Sequence, residues 1–351
     1  MSAARYKQRG LSLVELMISM TLGIVLMTGV VQMFLTSRVT YGTQQAISQV
    51  QESGRMAMDF LAEDVRMAGY FGCTSRNPNV SSGLEASSDY LYDFTQVVSA
   101  YPSTASLTGV NNVSEDTDIL VIRRASSGSV HLVDSHNSGS NANLRINQEP
   151  ENDCLLEGQL CDDSIAIISD CSQGRIFRAV NVQASSGGGA QGMVVHSAGG
   201  SSPSNSDPQL GGQSFGEGSE VMALNSIVYF VAPSAFPSAG LEVRSLWRKV
   251  GERDAVEMIE GVERLRAQFG VDTNGDAELD TYKWREEMSS ADWQDVMAVR
   301  IHLLLNSIDG NVLDEPQPIT FAGTSLTGSD VTDRRLRQIF TSTVGIRARL
   351  E

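Results

Sequence analysis

From residue 11 to residue 35 the chain is apolar, diluted only by Ser, Thr, Gly, Gln32 and one acid, Glu15. As a helix this run spans roughly 37 Å at about 1.5 Å per residue, against a hydrocarbon core of about 30 Å. It therefore predicts a membrane-crossing helix with some tilt. Arg5, Lys7 and Arg9 precede it with no acid among them, and such positive charge keeps its end of a span in the cytoplasm. Past residue 35 the pattern turns amphipathic. Ile47, Val50, Gly54, Met58, Leu61, Val65 and Ala68 recur at helical spacing, and Gln44, Gln45, Gln51, Glu52, Arg55, Glu63 and Arg66 fall opposite. One helix is predicted, with a transmembrane half over 11–35 and an amphipathic half over 36–68. The break at Gly69, Tyr70, Phe71 and Gly72 ends it.

Behind the helix the pattern changes to strands and loops. Strands are predicted at 118–123, 220–231, 241–249, 298–305 and 338–350, and a hairpin joins 164–169 to 175–180. Residues 257–269 read as a short helix running into a strand, and Trp293 reads as a core anchor. The Gly/Ser-rich stretch 183–219 reads as a long flexible loop, with 81–88 and 126–140 as shorter cases. The fold class is α+β: a long N-terminal helix packed on an antiparallel, sheet-rich globular domain over 69–351.

Charge narrows the partners. The 26 basic and 42 acidic residues give a net charge of −16, so the body has no long-range attraction for nucleic acid. The local basic groups are Arg334, Arg335 and Arg337, and Arg244, Arg248 and Lys249. No nucleic-acid partner is expected. The four cysteines, Cys73, Cys154, Cys161 and Cys171, are an even set without CxxC spacing, which in an exported domain reads as disulfides. Three connectivities are open. The short spacing of Cys154 and Cys161 favours a local bridge, leaving Cys73 with Cys171 to tie the helix end to the hairpin. A Cys73–Cys154 pairing competes with it.

Glu15 is the anomaly, because a carboxylate inside a membrane helix costs roughly 2.5–3.5 kcal/mol. Its context is Gly10 followed by Leu11, Ser12, Leu13, Val14, Glu15 and Leu16. This run resembles the type IV pilin (class III) signal. The resemblance implies that residues 1–10 are a leader, that prepilin peptidase cuts between Gly10 and Leu11, and that Leu11 is then N-methylated. Glu15 is the fifth residue after the cut, as that family requires. Leu11 stands where Phe is common, and Leu13-Val14 where Leu-Ile is common. Cleavage creates a cationic amine on Leu11. In a fibre, Glu15 of one subunit would pair with that amine on a neighbour, relieving a buried charge and fixing axial register.

Further along, the chain resembles the PilW family of large minor pilins. The pieces are the 68–73 run ending at Cys73, the 169–172 run around Cys171, the stretch 261–272 running into 276, and the Asp333–Arg337 run before a Phe-Thr-Ser-Thr-Val strand. The terminus departs from the family, which often ends in Arg-Asn. The resemblance implies a non-catalytic subunit stored in the inner membrane, with its N-terminus cytoplasmic, that primes or supports pilus assembly at or near the fibre tip. Twitching motility and adhesion follow from that role. The implied partners are prepilin peptidase, other minor pilins, the major pilin and a tip adhesin. Two alternatives share the signal: a J-like pseudopilin of type II secretion, and a pilus-borne surface-binding module.

Other motifs have plainer readings beside the chemical ones. Asp272, Asn274, Asp276, Glu278 and Asp280 alternate as calcium ligands can, but Ala277 and Lys283 stand where an EF-hand loop needs Gly and Glu. The competing reading is an Asn-Gly turn between strands at 268–271 and 279–284. No other cofactor is expected. Residues 212–216 match GxSxG by letters only, since that motif needs a strand before it and a helix after it. His131 and His136 flank Asp134 in a Ser-rich loop and read as solvated.

Overall fold

A computed structural model describes residues 12–73, 79–137, 139, 143–155, 157, 159–185, 191–198, 201–236 and 242–350. The predicted cleavage at Gly10 and Leu11 lies outside the described residues. One helix runs from Leu13 to Arg66, 54 residues, with Ser12 as its N-cap. The Ser12 hydroxyl accepts the Glu15 amide at 3.2 Å. At the far end the Gly69 amide donates to the Arg123 carbonyl at 2.8 Å and pins the helix exit to the sheet.

The larger sheet has nine strands and is built around Glu220–Pro233. One half of that strand pairs with Ile165–Ser169, the other with Asp118–Ala125 and Arg244–Val250, all antiparallel. Val256–Glu260 forms an edge beside Arg244–Val250. The second sheet has four antiparallel strands in the order Thr281–Trp284, Val262–Val271, Val296–Asn306 and Arg337–Gly345. The main core lies between the second half of the helix and these sheets. Val50, Leu61 and Val65 are almost fully buried in it, each contributing about 1.5–3 kcal/mol on removal from water. Burying a Gly on this face has a steric reason: a Cβ at Gly54 would sit 2.3 Å from the Phe340 ring.

Several expectations need correction. Ile47 is on the exposed side of the docked face, and Ala46, Ala57 and Asp64 are buried there instead. Residues 257–269 hold no helix. They form two strands, Val256–Glu260 and Val262–Val271, which meet at Gly261. Gly261 has φ +82°, and a Cβ there would meet the Asn306 carbonyl at 2.7 Å, so glycine lets the chain pass from one sheet to the other. The strand side chains alternate inward and outward, with Leu265, Ala267 and Phe269 buried between half-buried Arg264, Arg266 and Gln268, a period of two rather than 3.6. The final strand stops at Gly345 and a short helix, Arg347–Leu350, follows.

The stretch 183–219 is more than a loop. Gly192–Val195 pairs with Asn181–Ala184 and with Leu144–Ile146, and Val194, His196, Asn205, Leu210 and Phe215 are buried. Its few apolar groups fill a second, separate core, with the Asn205 carboxamide bonded to the backbone of Arg178. Trp293 is half-buried and packs edge-to-face on Phe269 at 4.7 Å.

Candidate assembly interface

The helix divides by exposure. Every large apolar side chain from Leu13 to Leu35 is exposed, from 47% at Val31 to 76% at Leu13. It is the one helix among the described residues long and apolar enough to cross a membrane. Its polar side chains are fitted to that setting. The Ser19 hydroxyl donates to the Glu15 carbonyl at 2.7 Å, and Thr28 to the Ile24 carbonyl at 2.8 Å. Such back-bonding satisfies hydroxyls without water. Glu15 stands one turn in from the Ser12 cap, exposed within the apolar half.

Where the helix meets the domain, a cleft of about 470 Å³ opens between Leu35–Gln49 side chains and the 307–312 loop. The Thr43 hydroxyl bridges it with a bond to the Val312 carbonyl at 3.3 Å. Beyond this point the helix is docked and Asp64 locks it. The carboxylate is 4% exposed. Arg124 donates to Oδ1 at 2.9 Å through Nη2, and Arg248 to Oδ2 at 3.0 Å. The Tyr229 hydroxyl donates to Oδ2 at 2.7 Å. Burial, then the Asp64 charge, pushes the Tyr229 hydroxyl well above the ordinary phenol range. Three strands of the larger sheet thus hold one helix position.

A second buried acid joins the sheets. Asp118 is fully buried and accepts Arg266 Nε at 3.0 Å, Arg285 Nε at 2.9 Å and the Ala267 amide at 3.2 Å. The basic groups considered as a nucleic-acid patch are mostly engaged. Arg337 pairs with Glu263 and Asp333, Arg335 is buried, and Arg248 holds Asp64.

Two bridges close: Cys73 with Cys171, and Cys154 with Cys161, with Cα atoms 4.8 and 4.0 Å apart. The first ties the segment after the helix to the turn of the 165–178 hairpin. The second clips a two-residue-per-strand hairpin.

Residues 272–280 form a turn between Val262–Val271 and Thr281–Trp284. Asp272 accepts the amides of Asn274, Gly275 and Ala277, and Asp280 accepts the Thr273 amide and hydroxyl. Those bonds hold both carboxyls below the usual carboxylate range. Asp276 accepts the Glu278 amide. Among the described residues no group of three or more His, Cys, Asp or Glu is placed to hold a metal ion. In the GxSxG lettering, Phe215 is buried and the chain runs on into the strand Glu220–Pro233 rather than a helix. His136 is not solvated. It is 5% exposed, 5.2 Å from the ring of His196, in the second core. Burial, then His196, lowers its pKa.

Asp64, Arg124 and Tyr229 carry no motif, and Arg248 stands out in the sequence only as a basic group, not as a partner of the helix. A signal existed, because Asp64 falls between Leu61, Val65 and Ala68 on the apolar face, where an acid needs partners.

Residues 5–31 match the prokaryotic N-terminal methylation motif, and residues 228–348 match the family described as Type IV Pilus-assembly protein W. No curated relative and no solved structure gives a match. The second match begins within Glu220–Pro233 and covers the edge strand, the whole four-stranded sheet and the strand on which the helix docks. With the methylation motif at the head of an exposed apolar helix and that helix packed on an antiparallel domain, the chain matches a PilW-family type IV pilin with a prepilin signal over those two stretches.

Proposed function

We propose that this chain is a minor pilin that primes or supports type IV pilus assembly at or near the fibre tip, with consequences for twitching motility and adhesion. The observation that carries the reading is the division of one helix into an exposed apolar half and a half locked to the domain by Asp64. Before assembly the apolar half lies in the inner membrane, with its basic leader in the cytoplasm. Prepilin peptidase removes residues 1–10 and Leu11 is methylated. The same apolar surface then packs among the helices of other minor pilins and the major pilin. The locked half keeps the domain at a fixed angle to the stem, so that docking the stem also positions the domain. The role is non-catalytic.

Glu15 is the register device. In an apolar bundle its carboxylate pairs with the amine on Leu11 of a neighbouring subunit, which relieves a buried charge at both ends. Glu15→Ala is expected to be cut and methylated normally, as read by the mass of the N-terminal peptide, yet to be depleted from sheared fibres. Variant protein in fibres at the wild-type level contradicts the pairing.

A further inference from the structure

A cleft lined by three tyrosines lies away from the helix. It has a volume of about 770 Å³, within the range of small-ligand sites. Tyr90 and Tyr92, on the short 3₁₀ turn Tyr90–Tyr92, form one side together with Tyr101 of Val98–Pro102. The Lys249–Asp254 segment forms the other. We propose that this cleft binds a neutral oligosaccharide.

The rings are held in place before any ligand arrives. The Tyr90 hydroxyl donates to the Thr108 carbonyl at 2.8 Å, and the Tyr92 hydroxyl to Glu252 Oε1 at 2.6 Å. Tyr90 and Tyr101 meet edge-to-face at 6.1 Å. Tyr90 is buried behind it, so the half-buried Tyr101 offers the ring: a fixed aromatic face gives contact area without ordering cost on binding, and the flat, apolar C–H face of a sugar ring suits it.

Charge decides the ligand class. The acids of the wall are Asp89, Glu252 and Asp254, against Lys249 and Arg253, with the fully buried Arg178 behind Glu252. The lining itself holds three acids against two bases, a small negative excess that disfavours an anion. Most of these charges are also engaged within the wall. Lys249 Nζ donates to the carbonyls of Gly251 and Arg253, each at 2.7 Å. Arg178 donates to Glu252 at 3.2 Å through Nη2. Asp89 accepts the Leu91 amide and the Thr108 hydroxyl. Asp254 and Arg253 stand at the opening as an acceptor and a donor for hydroxyl groups. A quaternary ammonium ligand fits less well, because the Arg178 guanidinium lies 5.7 Å from the Tyr92 ring centre and already holds that face.

The cleft also continues past Tyr92. A second hollow of about 270 Å³ shares Leu91, Tyr92, Glu252 and Arg253 with it. Two hollows meeting at the Tyr92–Glu252 pair suit an extended chain of rings. The inference is independent of the assembly reading, since neither hollow touches the helix.

The test is an array of neutral oligosaccharides probed with the full chain in a polyoxyethylene detergent, whose headgroup is not a sugar. Choline and inorganic phosphate are titrated in parallel. Wild type is expected to bind at least one neutral glycan, with binding weakened about tenfold or more by Tyr101→Ala and by Asp254→Asn, a loss on the scale of one fixed aromatic or hydrogen-bonding contact. The Asp254→Asn change lies at the rim and leaves the wall's internal bonds in place. No glycan binding by wild type overturns the proposal. So does glycan binding unaffected by Asp254→Asn, or binding of choline or phosphate in place of every glycan.

Discussion

The Tyr229 hydroxyl, on the central strand of the larger sheet, donates to Asp64 on the helix at 2.7 Å, with both side chains out of solvent. The bond joins the part of the chain built for a membrane or fibre to the part built as a β-rich body. Arg124 and Arg248 converge on the same carboxylate from the two strands that flank Tyr229. The first prediction concerns this junction. Asp64→Ala leaves two guanidinium groups facing a protein interior, and breaking a buried pair costs about 3–5 kcal/mol. Arg124 and Arg248 keep 18% and 27% side-chain exposure, so a loss of about 2–4 kcal/mol is expected here after discounting for solvent. Tyr229→Phe removes one hydrogen bond and should cost about 1–1.5 kcal/mol. Denaturant unfolding of the full chain in detergent checks both, and an Asp64→Ala loss no larger than that of Tyr229→Phe contradicts the lock.

Acid should weaken the domain in a window set by histidines. His136 is lowered by burial and then by His196, and His302 by burial and then by Arg300 and Arg266. A depressed folded-state pKa means that the unfolded chain binds the proton first. Stability is therefore full above the ordinary histidine pKa of about 6.5 and falls as pH drops through it. Asp272, Asp280 and Asp333 have lowered pKa values too, but their contribution is lost only below the ordinary carboxylate range of about 4. The melting temperature is expected to fall between pH 7.5 and pH 5.5, and less steeply in His136→Gln. Equal slopes for wild type and variant remove His136 from the account.

The 272–280 turn completes its own hydrogen bonds. Asp272 and Asp280 accept backbone amides across it, so we expect it to hold its shape without calcium. Isothermal titration of Ca²⁺ into the full chain in detergent should give no saturable heat. A stoichiometric heat that disappears in Asp276→Ala means that these carboxylates rearrange to hold the ion.

How much of this was legible in the sequence depended on range. The helix was readable because its signals are local: an apolar run, a 3.6-residue period and a Gly-rich stop. The helical period puts Ile47 on its docked face where Ala46 is buried instead, because the face is chosen by the sheet that covers it. Residues 257–269 resemble a short helix in sequence because nothing local marks Gly261 as a pivot. What makes it one is the Asn306 carbonyl, far away in sequence. The stretch 183–219 looked like a linker by composition. A few buried groups, Val194, Leu210 and Phe215 among them, attach it to a core assembled from distant strands. Asp64 and the Tyr90–Tyr92–Tyr101 cleft depend on the same long-range assembly. Gly10 and Leu11 are the opposite case, carried by motif alone.

If the chain serves pilus assembly, fibre yield depends on it. Sheared fibres would be quantified from a strain lacking this chain, and from the same strain supplied with wild type or Glu15→Ala. Fibres are expected to be lost or sharply reduced in the deletion strain, to return with wild type, and not to return with Glu15→Ala. Fibres at the normal yield without the chain would contradict that role.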